Sequence, residues 1–376
     1  MFGSFAFIGP FAVLYYQELG FSGAQIGLIS GITPLITLVA SPFWTGLADT
    51  RRLHRPIMSL NLLVVSVIIA VFPFLRSFAP ILVLAISMQF FFSAIAPLVD
   101  SATMHMLGAQ RELYGRVRLG GTFGYGIAAA LAGGLVQNTG LRSVFWVSSA
   151  LMFLTLLVSQ KLEYSTVQST AAAASAMRKL LTSPRWLLFL VVAFANGLGI
   201  AATNTYLFPF LRELNTAAYL MGLILTVGTI SEIPVLFFGN RLVRHFTPYR
   251  LFILGTLVTG TRFLFFALAD TPYLILFLQL FSGLAFGAMW MGAVAYAQEN
   301  APPGLSASAQ GQLGAMVFGF GAAAGGISGG LLLDAFGGSG LYLVFGLAIL
   351  LITALAVVLK TRIPPVQESS PTPPSA

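Results

Sequence analysis

Long apolar runs, separated by short polar or basic stretches, form the dominant pattern of this chain. About twelve runs have roughly 20 residues each, the length at which an α-helix crosses a bilayer. Polar and apolar residues do not alternate within them as they would in the strands of a membrane barrel. The pattern therefore predicts an all-α membrane protein with twelve transmembrane helices, at approximately 2–17, 25–46, 56–74, 80–106, 114–137, 141–160, 186–212, 217–243, 249–268, 273–298, 306–334 and 339–360.

The composition supports a membrane protein. The chain is 57% hydrophobic and only 8% charged, and its 33 phenylalanines are far too many for an ordinary soluble domain. With no cysteine, the chain has neither disulfides nor thiol chemistry. The segment 161–185 reads as a cytoplasmic linker between an N-terminal unit, 1–160, and a C-terminal unit, 186–362. The Ser/Thr/Pro-rich tail 363–376 is expected to be disordered.

The net charge of +8 reports membrane orientation and does not indicate a nucleic-acid partner. If the N-terminus is cytoplasmic, fifteen of the nineteen Lys and Arg residues fall on the cytoplasmic side. Such an excess of basic residues marks the cytoplasmic loops of membrane proteins. We therefore expect a multi-pass protein of the plasma (inner) membrane with both termini in the cytoplasm.

An internal repeat divides the chain into two similar halves. Four matches share an offset of 195 residues, and they lie at 18–19 and 213–214, 26–29 and 221–224, 55 and 250, and 123–126 and 318–321. Six spans fall in each half, so the repeat predicts two six-helix bundles in parallel orientation. This organisation is typical of secondary transporters, which bind their solutes between the halves. The chain has no G-x-x-x-x-G-K-[ST] motif for ATP binding.

Four charged residues lie inside the predicted spans, where an unpaired charge costs at least a few kcal/mol. They are Asp100, Arg118, Glu232 and Arg262, and the repeat mate of each is uncharged. Asp100 and Arg118 each lie nine residues from the turn near 109, and Glu232 and Arg262 each lie fifteen from the turn near 247. In antiparallel helices rising about 1.5 Å per residue, both acid–arginine pairs would be level.

Each pair has two interpretations. A buried ion pair can simply neutralise charge between neighbouring helices, although it is weak evidence for stability. A titratable group in the core of a membrane bundle is also a candidate for function. Arginine offers paired donors and a carboxylate offers acceptors, which suits polyhydroxylated or carboxylated solutes. The chain has no cluster of metal ligands and no nucleophile–base set, so we expect neither a metal nor a cofactor nor an enzyme.

The loop after the second span resembles the G-x-L-A-D-R-x-G-R-K loop of the major facilitator superfamily. It reads GLADTRRLHR over residues 46–55 and lacks the second glycine of that pattern. The resemblance implies a cytoplasmic gating loop whose aspartate meets a helix end and basic partners. The alternative is a basic interfacial loop that only sets topology. The candidate gating residues are Gly46, Asp49, Arg51, Arg52 and Arg55.

A second stretch resembles the oligosaccharide:proton symporter (lactose permease-like) branch of that superfamily and related MFS_1-like proteins. The sequence Ala-Pro-Leu-Val-Asp ends at Asp100, eighteen residues before Arg118. The resemblance implies that these two residues bind sugar hydroxyls and that Tyr125, seven residues later, stacks on the sugar ring. Tyr125 could equally be packing, since its repeat mate is Phe320. The resemblance also makes Arg262 a proton-coupling arginine.

The chain departs from the symporter pattern on the tenth span. The positions of the family's His and Glu are held by Ser282 and Ala285. Thr229 replaces the acid of the eighth span, and Glu232, three residues on, could substitute for it as partner of Arg262. Asn196 and Asn204 on the seventh span are candidates for solute binding or for helix packing. Gln279 and Trp290 are further candidates for the cavity wall.

These observations predict a monomeric secondary active transporter that moves a small polar solute by alternating access, with a proton as coupling ion. Asp100, Arg118, Tyr125, Asn196 and Asn204 would bind the solute, and Glu232 and Arg262 would couple it to the proton. A sugar or nucleoside is the first choice of solute, and an aromatic acid the second. Two alternatives remain open at this point: an exporter of amphipathic compounds, and a non-transporting receptor or scaffold.

Overall fold

The computed structural model describes residues 1–108, 110, 114–163, 183–238, 241–242, 245–301 and 305–362. Regular structure in these ranges is entirely helical. The helices of the first half are α1 Phe2–Glu18, α2 Gly23–Arg51, α3 His54–Val71, α4 Phe78–Phe92, α5 Ile95–Leu107, α6 Tyr114–Thr139 and α7 Arg142–Ser159. Those of the second half are α8 Pro184–Ala201, α9 Leu207–Glu213, α10 Ala218–Phe237, α11 Pro248–Ala267, α12 Pro272–Leu278, α13 Ser282–Asn300, α14 Ser306–Gly314 and α15 Ala322–Arg362.

Several predicted spans are interrupted. A π-helical turn, Ala202–Tyr206, joins α8 to α9, and a second, Ala315–Gly321, joins α14 to α15. A 3₁₀ turn, Gln279–Phe281, joins α12 to α13. Such irregular turns inside long helices often occur at functional sites. Pro209 has no N–H to bond with the carbonyl oxygen of Thr205, which accounts for a break in the helix at the first of these turns. Neither proline nor an obvious turn motif marks the other two.

Ten helical stretches in the described chain are long and apolar enough to cross a membrane. The count differs from the predicted twelve in two places. Helix α1 has only 17 residues, at the short limit for a span. The last stretch runs for 55 residues from Ser308 to Arg362 and is broken at Gly337, whose φ of 67° is not helical. The linker residues 164–182 and the tail 363–376 lie outside the described residues.

Helix packing follows the two halves of the sequence. In the first half α1 packs on α6 and α7, and α3 on α7; in the second half α8 and α11 pack on α15, and α10 and α11 on α13. Two seams join the halves: α2 packs on α15, and α6 on α10. The two seams correspond to each other under the 195-residue repeat, because Ala218, where α10 begins, is the repeat mate of Gly23, where α2 begins.

Small residues bring the backbones of each seam into close contact. A Cβ atom on Gly27 of α2 would lie 2.8 Å from the carbonyl oxygen of Gly326, and one on Gly133 of α6 would lie 2.6 Å from that of Ala218. Glycine allows this approach in membrane helices, where packing rather than hydrophobicity drives association. Both contacts lie near the same end of the molecule, where the turns 18–23, 139–142 and 213–218 are found. We call it the closed end.

At the opposite end the halves are less closely packed. Helices α5 and α14, which lie at this end, pack mainly on elements of their own halves. This end carries the turn at 51–54 and the end of α13 at Asn300, and we call it the open end. The two halves are thus in close contact at one end and less closely packed at the other.

Side chains reinforce the closed end across both seams. The two carboxylate oxygens of Asp334 accept hydrogen bonds from the backbone N–H groups of Gly23, at 2.7 Å, and Ala24, at 2.8 Å. On the other seam, Oε1 of Gln137 accepts from the N–H of Ala218 at 3.1 Å. In each seam, one half thereby caps the first turn of a helix that belongs to the other half. A carboxylate at a helix N-terminus also interacts favourably with the helix dipole.

Candidate functional site

A polar cavity of about 200 Å³ lies in the second half of the molecule. Helices α8, α10, α11 and α13 form its wall together with the two π-helical turns. The cavity is unusual in this chain because charged and amide side chains gather there among apolar helices. Its lining residues are Asn196, Gly199, Ile200, Thr203, Asn204, Glu232, Thr259, Arg262, Ser282, Ala285, Phe286, Met289 and Phe318.

Both candidate asparagines line this cavity, but their environments differ. Asn196 is buried and donates hydrogen bonds from Nδ2 to Oγ1 of Thr256 and to the carbonyl oxygen of Val192, each at 2.9 Å. Asn204 lies in the π-helical turn and is exposed. Asn196 therefore contributes to helix packing as well as to the wall, whereas Asn204 offers its amide to the cavity. Thr203, Thr259 and Ser282 add hydroxyl groups.

Arg262 is buried in the cavity wall, with 6% of its surface exposed. Its Nη1 donates to Oε1 of Gln279 at 3.2 Å, and its guanidinium carbon lies 5.4 Å from the ring centre of Phe266 and 5.8 Å from that of Phe263. Aromatic faces attract a cation at such distances. The Nε of Arg262 is buried without a hydrogen-bond partner. The guanidinium is thus held by a neutral amide and two rings and has an unused donor.

Glu232 lines the same cavity from α10 and is half-buried. No hydrogen bond or ion pair within 4 Å joins its carboxylate to the guanidinium of Arg262, although the two groups are close enough to interact electrostatically. Tyr125 of α6 also lies near Glu232, across the seam between the halves. Glu232 and Arg262 were predicted to lie at the same depth in the membrane, and both line one cavity. In this conformation, however, Arg262 donates its hydrogen bond to Gln279.

The other predicted solute-binding pair lies in the first half. Asp100 is half-buried on α5. Arg118 belongs to α6, but its side chain lies outside the described residues, so the pairing of Asp100 with Arg118 stays a prediction. Tyr125 is half-buried and packs against the apolar core. Of the residues whose side chains are described, neither Asp100 nor Tyr125 belongs to the wall of the cavity in this conformation.

The predicted gating loop lies at the open end and contacts its own half. Oδ1 of Asp49 lies 2.8 Å from Nε2 of His54, and Arg55 donates to the backbone and side chain of Gln160 at the end of α7. Arg52 ends α2 with a left-handed φ of 54° and, like Arg51, is exposed. Gly46 faces open space among the described residues. The gating role of these residues stays a prediction.

Sequence reasoning gave Gln279 little weight, and it passed over Ser231. Gln279 looked like one polar residue on an apolar span; its importance comes from the bond with Arg262. Ser231 precedes Glu232, and its hydroxyl accepts from the N–H of Gly283 at 2.8 Å. Its single hydrogen lies within reach of two carbonyl oxygens, that of Gly228 in its own helix at 2.7 Å and that of Gln279 at 3.1 Å. The sequence alone could not suggest that Ser231 meets Gln279, because the 3₁₀ turn that brings them together is seen only in the structure.

Comparison with known proteins agrees with this fold. The MFS_1 like family matches residues 1–344. The maltose permease of Geobacillus stearothermophilus is 28% identical over 365 residues, which cover 96% of this chain and 92% of the permease. The multidrug resistance protein MdtG of Serratia proteamaculans is 26% identical over 306 residues, which cover 76% of this chain and 73% of MdtG. The crystal structure of the nucleoside transporter NupG superposes with a TM-score of 0.82 at 16% identity and covers 95% of both chains.

The helical fold and these similarities define a multi-pass membrane transporter of the major facilitator type. The chain belongs to the MFS_1 like family, whose match spans most of its length. The resemblance found in the gating loop and in the residues around Asp100 is confirmed at the level of the family. Transporters of this type lie in a membrane and move small molecules across it.

Proposed function

We propose that this protein carries a sugar-containing solute across the plasma membrane by alternating access and couples its movement to a proton. The observation that carries the proposal is the polar cavity, which gathers a carboxylate, a guanidinium and two amides inside apolar helices. Intramembrane ionisable groups that face a cavity are functional candidates by default. Close contact between the halves at only one end supports a rocking motion that exposes the cavity to each side in turn.

Twelve spans in two bundles are the arrangement that best accounts for the helices. Gly337, where the last long stretch breaks, is the repeat mate of Arg142, where α7 begins. The stretch on either side of Gly337 would therefore be two spans, the mates of α6 and α7. With α1 as a short span, each half has six. A single chain with this arrangement needs no second copy to complete its cavity, which supports a monomer.

The distribution of basic residues supports an orientation with the open end in the cytoplasm. Arg51, Arg52, Arg55 and Arg250 all lie at the open end, and the positive-inside rule assigns such an end to the cytoplasm. The conformation described here would then face inward, with its closed end outside and both termini in the cytoplasm.

A sugar or a nucleoside is the solute class that the cavity fits best. Amide, hydroxyl, carboxylate and guanidinium groups can all bond to hydroxyls, and paired donors on Arg262 suit an oxygen-rich solute. The similarity to a maltose permease, and the shared fold with a nucleoside transporter, agree with this choice. Asp100, Arg118 and Tyr125 would complete the binding site from the first half.

One observation favours a second candidate. Phe286, Met289 and Phe318 form an apolar part of the cavity wall, and adaptable side chains such as methionine suit amphipathic compounds. The similarity to MdtG agrees with an exporter of such compounds. The direction of flux separates the two proposals.

Flux measurements on purified protein in liposomes test the proposal. We expect accumulation of at least one radiolabelled sugar or nucleoside when an inward proton gradient is applied, and loss of that accumulation when the gradient is dissipated. Gradient-driven export of a hydrophobic dye, with no uptake of sugars, nucleosides or aromatic acids, would favour the exporter. Flux that does not depend on the proton gradient would show transport without proton coupling.

An Asp334→Asn variant is expected to loosen the closed end. The amide loses the negative charge that caps the first turn of α2, an interaction worth about 0.5–2 kcal/mol for helix caps, so the equilibrium should shift roughly twofold to thirtyfold toward opening at that end. The measurement is the rate at which a maleimide labels a single cysteine placed at Thr203 in the cavity, from the closed-end side.

Asp270→Asn provides the matched control, because Asp270 is exposed at the same end and the change in charge is identical. Equal labelling rates in the two variants would mean that the cap does not hold this end closed.

A further inference from the structure

The bond between Arg262 and Gln279 leaves a buried cation with a weak partner. The hydrogen bond spans 3.2 Å, Gln279 is neutral, and Nε of Arg262 has no partner although it is buried. Since a guanidinium only donates hydrogen bonds, the amide must turn its oxygen toward Arg262. A buried donor without a hydrogen-bond partner costs free energy. A second position of the Arg262 guanidinium, in which Nε is also bonded, would remove that cost.

Glu232 is the group that can offer that second arrangement. It lines the same cavity, and its carboxylate is a stronger acceptor than an amide oxygen. It is not bonded to Arg262 in this conformation, and it lies on α10, the helix that packs on α6 of the first half. A move of Arg262 onto Glu232 would therefore change the charge that Glu232 presents to the other half.

Ser231, the residue before Glu232, helps to fix the position of Gln279. The Ser231 hydroxyl accepts from the N–H of Gly283, just after the 3₁₀ turn, and shares its hydrogen between the carbonyl oxygens of Gly228 and Gln279. A Cβ atom on Gly228 would lie 3.4 Å from the side-chain amide of Gln279, so α10 contacts both ends of the turn. A Cβ atom on Gly283 would collide with the backbone of Ser231, which shows how closely α10 and α13 approach. Gln279 itself is 1% exposed. Its side chain thus occupies a defined position between Arg262 and α10.

We propose that Gln279 is a positioning residue that holds Arg262 away from Glu232 in the conformation seen here, and that Arg262 transfers to Glu232 when the closed end opens. This rests on the proposed alternating access, but it concerns the conformational equilibrium and not the identity of the solute. This transfer requires a neutral partner at position 279, because the amide must be able to release the guanidinium of Arg262.

A double-mutant cycle without any solute tests the proposal. Spin labels on cysteines at Ser77 and Thr271, both exposed at the closed end, report the distance between the halves in lipid nanodiscs. Gln279→Met removes the acceptor at nearly constant volume. We expect it to raise the ratio of open to closed molecules at this end at least about tenfold when Glu232 is present, and less than about twofold in a Glu232→Gln background.

A merely structural role for Gln279 predicts a different result. Loss of packing would shift the distances equally in both backgrounds, and equal shifts, or no shift in either, would overturn the proposal. Gln279→Glu gives an independent arm, since a carboxylate at this position should hold Arg262 and lower the open fraction instead. An increase would contradict the proposal even if Gln279→Met failed to fold. Failure of the proposed function would appear separately, as an absence of solute flux in the wild type.

Discussion

A Glu232→Gln variant is expected to lose concentrative uptake by about tenfold to a hundredfold while it still exchanges solute across the membrane. The amide cannot bind a proton under transport conditions and cannot form an ion pair with Arg262, but it fits the same space in the cavity wall. Exchange requires the cavity to bind solute and to change sides, whereas accumulation also requires the coupling ion. The two assays therefore separate loss of coupling from loss of binding.

Exposed Glu299, which does not line the cavity, supplies the control for this prediction. Glu299→Gln makes the same chemical change and should leave accumulation within about twofold, as expected of surface substitutions. Unchanged accumulation in Glu232→Gln would show that Glu232 does not carry coupling. Loss of exchange together with accumulation would instead assign Glu232 to solute binding.

A Gly133→Leu variant is expected to prevent closure at the closed end. A Cβ atom at this position would lie 2.6 Å from the carbonyl oxygen of Ala218, so any side chain forces α6 away from α10. Overpacking of this kind costs about 1–3 kcal/mol, which would favour opening at this end by roughly tenfold to a hundredfold. Labelling of a single cysteine at Thr203 should then become fast from the closed-end side and slow from the other.

Gly134, the next residue, provides a matched control for the Gly133→Leu substitution. Gly134 lies on the same helix, and a Cβ atom there would meet no described atom within 4 Å. Gly134→Leu brings the same gain in helix propensity and the same added volume but leaves the seam intact. If both variants label alike from each side, then the α6–α10 seam does not control access to the cavity.

The apolar pattern predicts most of the helices but none of their interruptions. Runs of about 20 apolar residues indicate spans reliably, because the bilayer imposes a length. The 3₁₀ turn at Gln279–Phe281 is instead contacted by Ser231 of another helix, whose hydroxyl accepts from the N–H of Gly283 just after the turn. A contact between residues so distant in sequence leaves no local signature. The same holds for Asp334, an acid near the end of a span whose partner is the first turn of α2.

The candidate site could be predicted in part, because intramembrane charge is rare and costly. Glu232, Arg262, Asn196 and Asn204 were identified as polar residues on apolar spans, and all four line one cavity. The direct partner of Arg262 could not be identified, since a level position on neighbouring helices does not decide which acceptor a long side chain reaches. For Asp100 and Arg118 the pairing is still a prediction that rests on their spacing of eighteen residues.

Alternating access through this cavity is the central claim, and a pair of distance measurements tests it most directly. The natural chain has no cysteine, so spin labels can be placed at Ser77 and Thr271 for the closed end and at Thr50 and Thr247 for the open end without further substitutions. From wild type to Gly133→Leu, the closed-end distance should lengthen while the open-end distance shortens. Distances that stay fixed at both ends, or lengthen together, would contradict it.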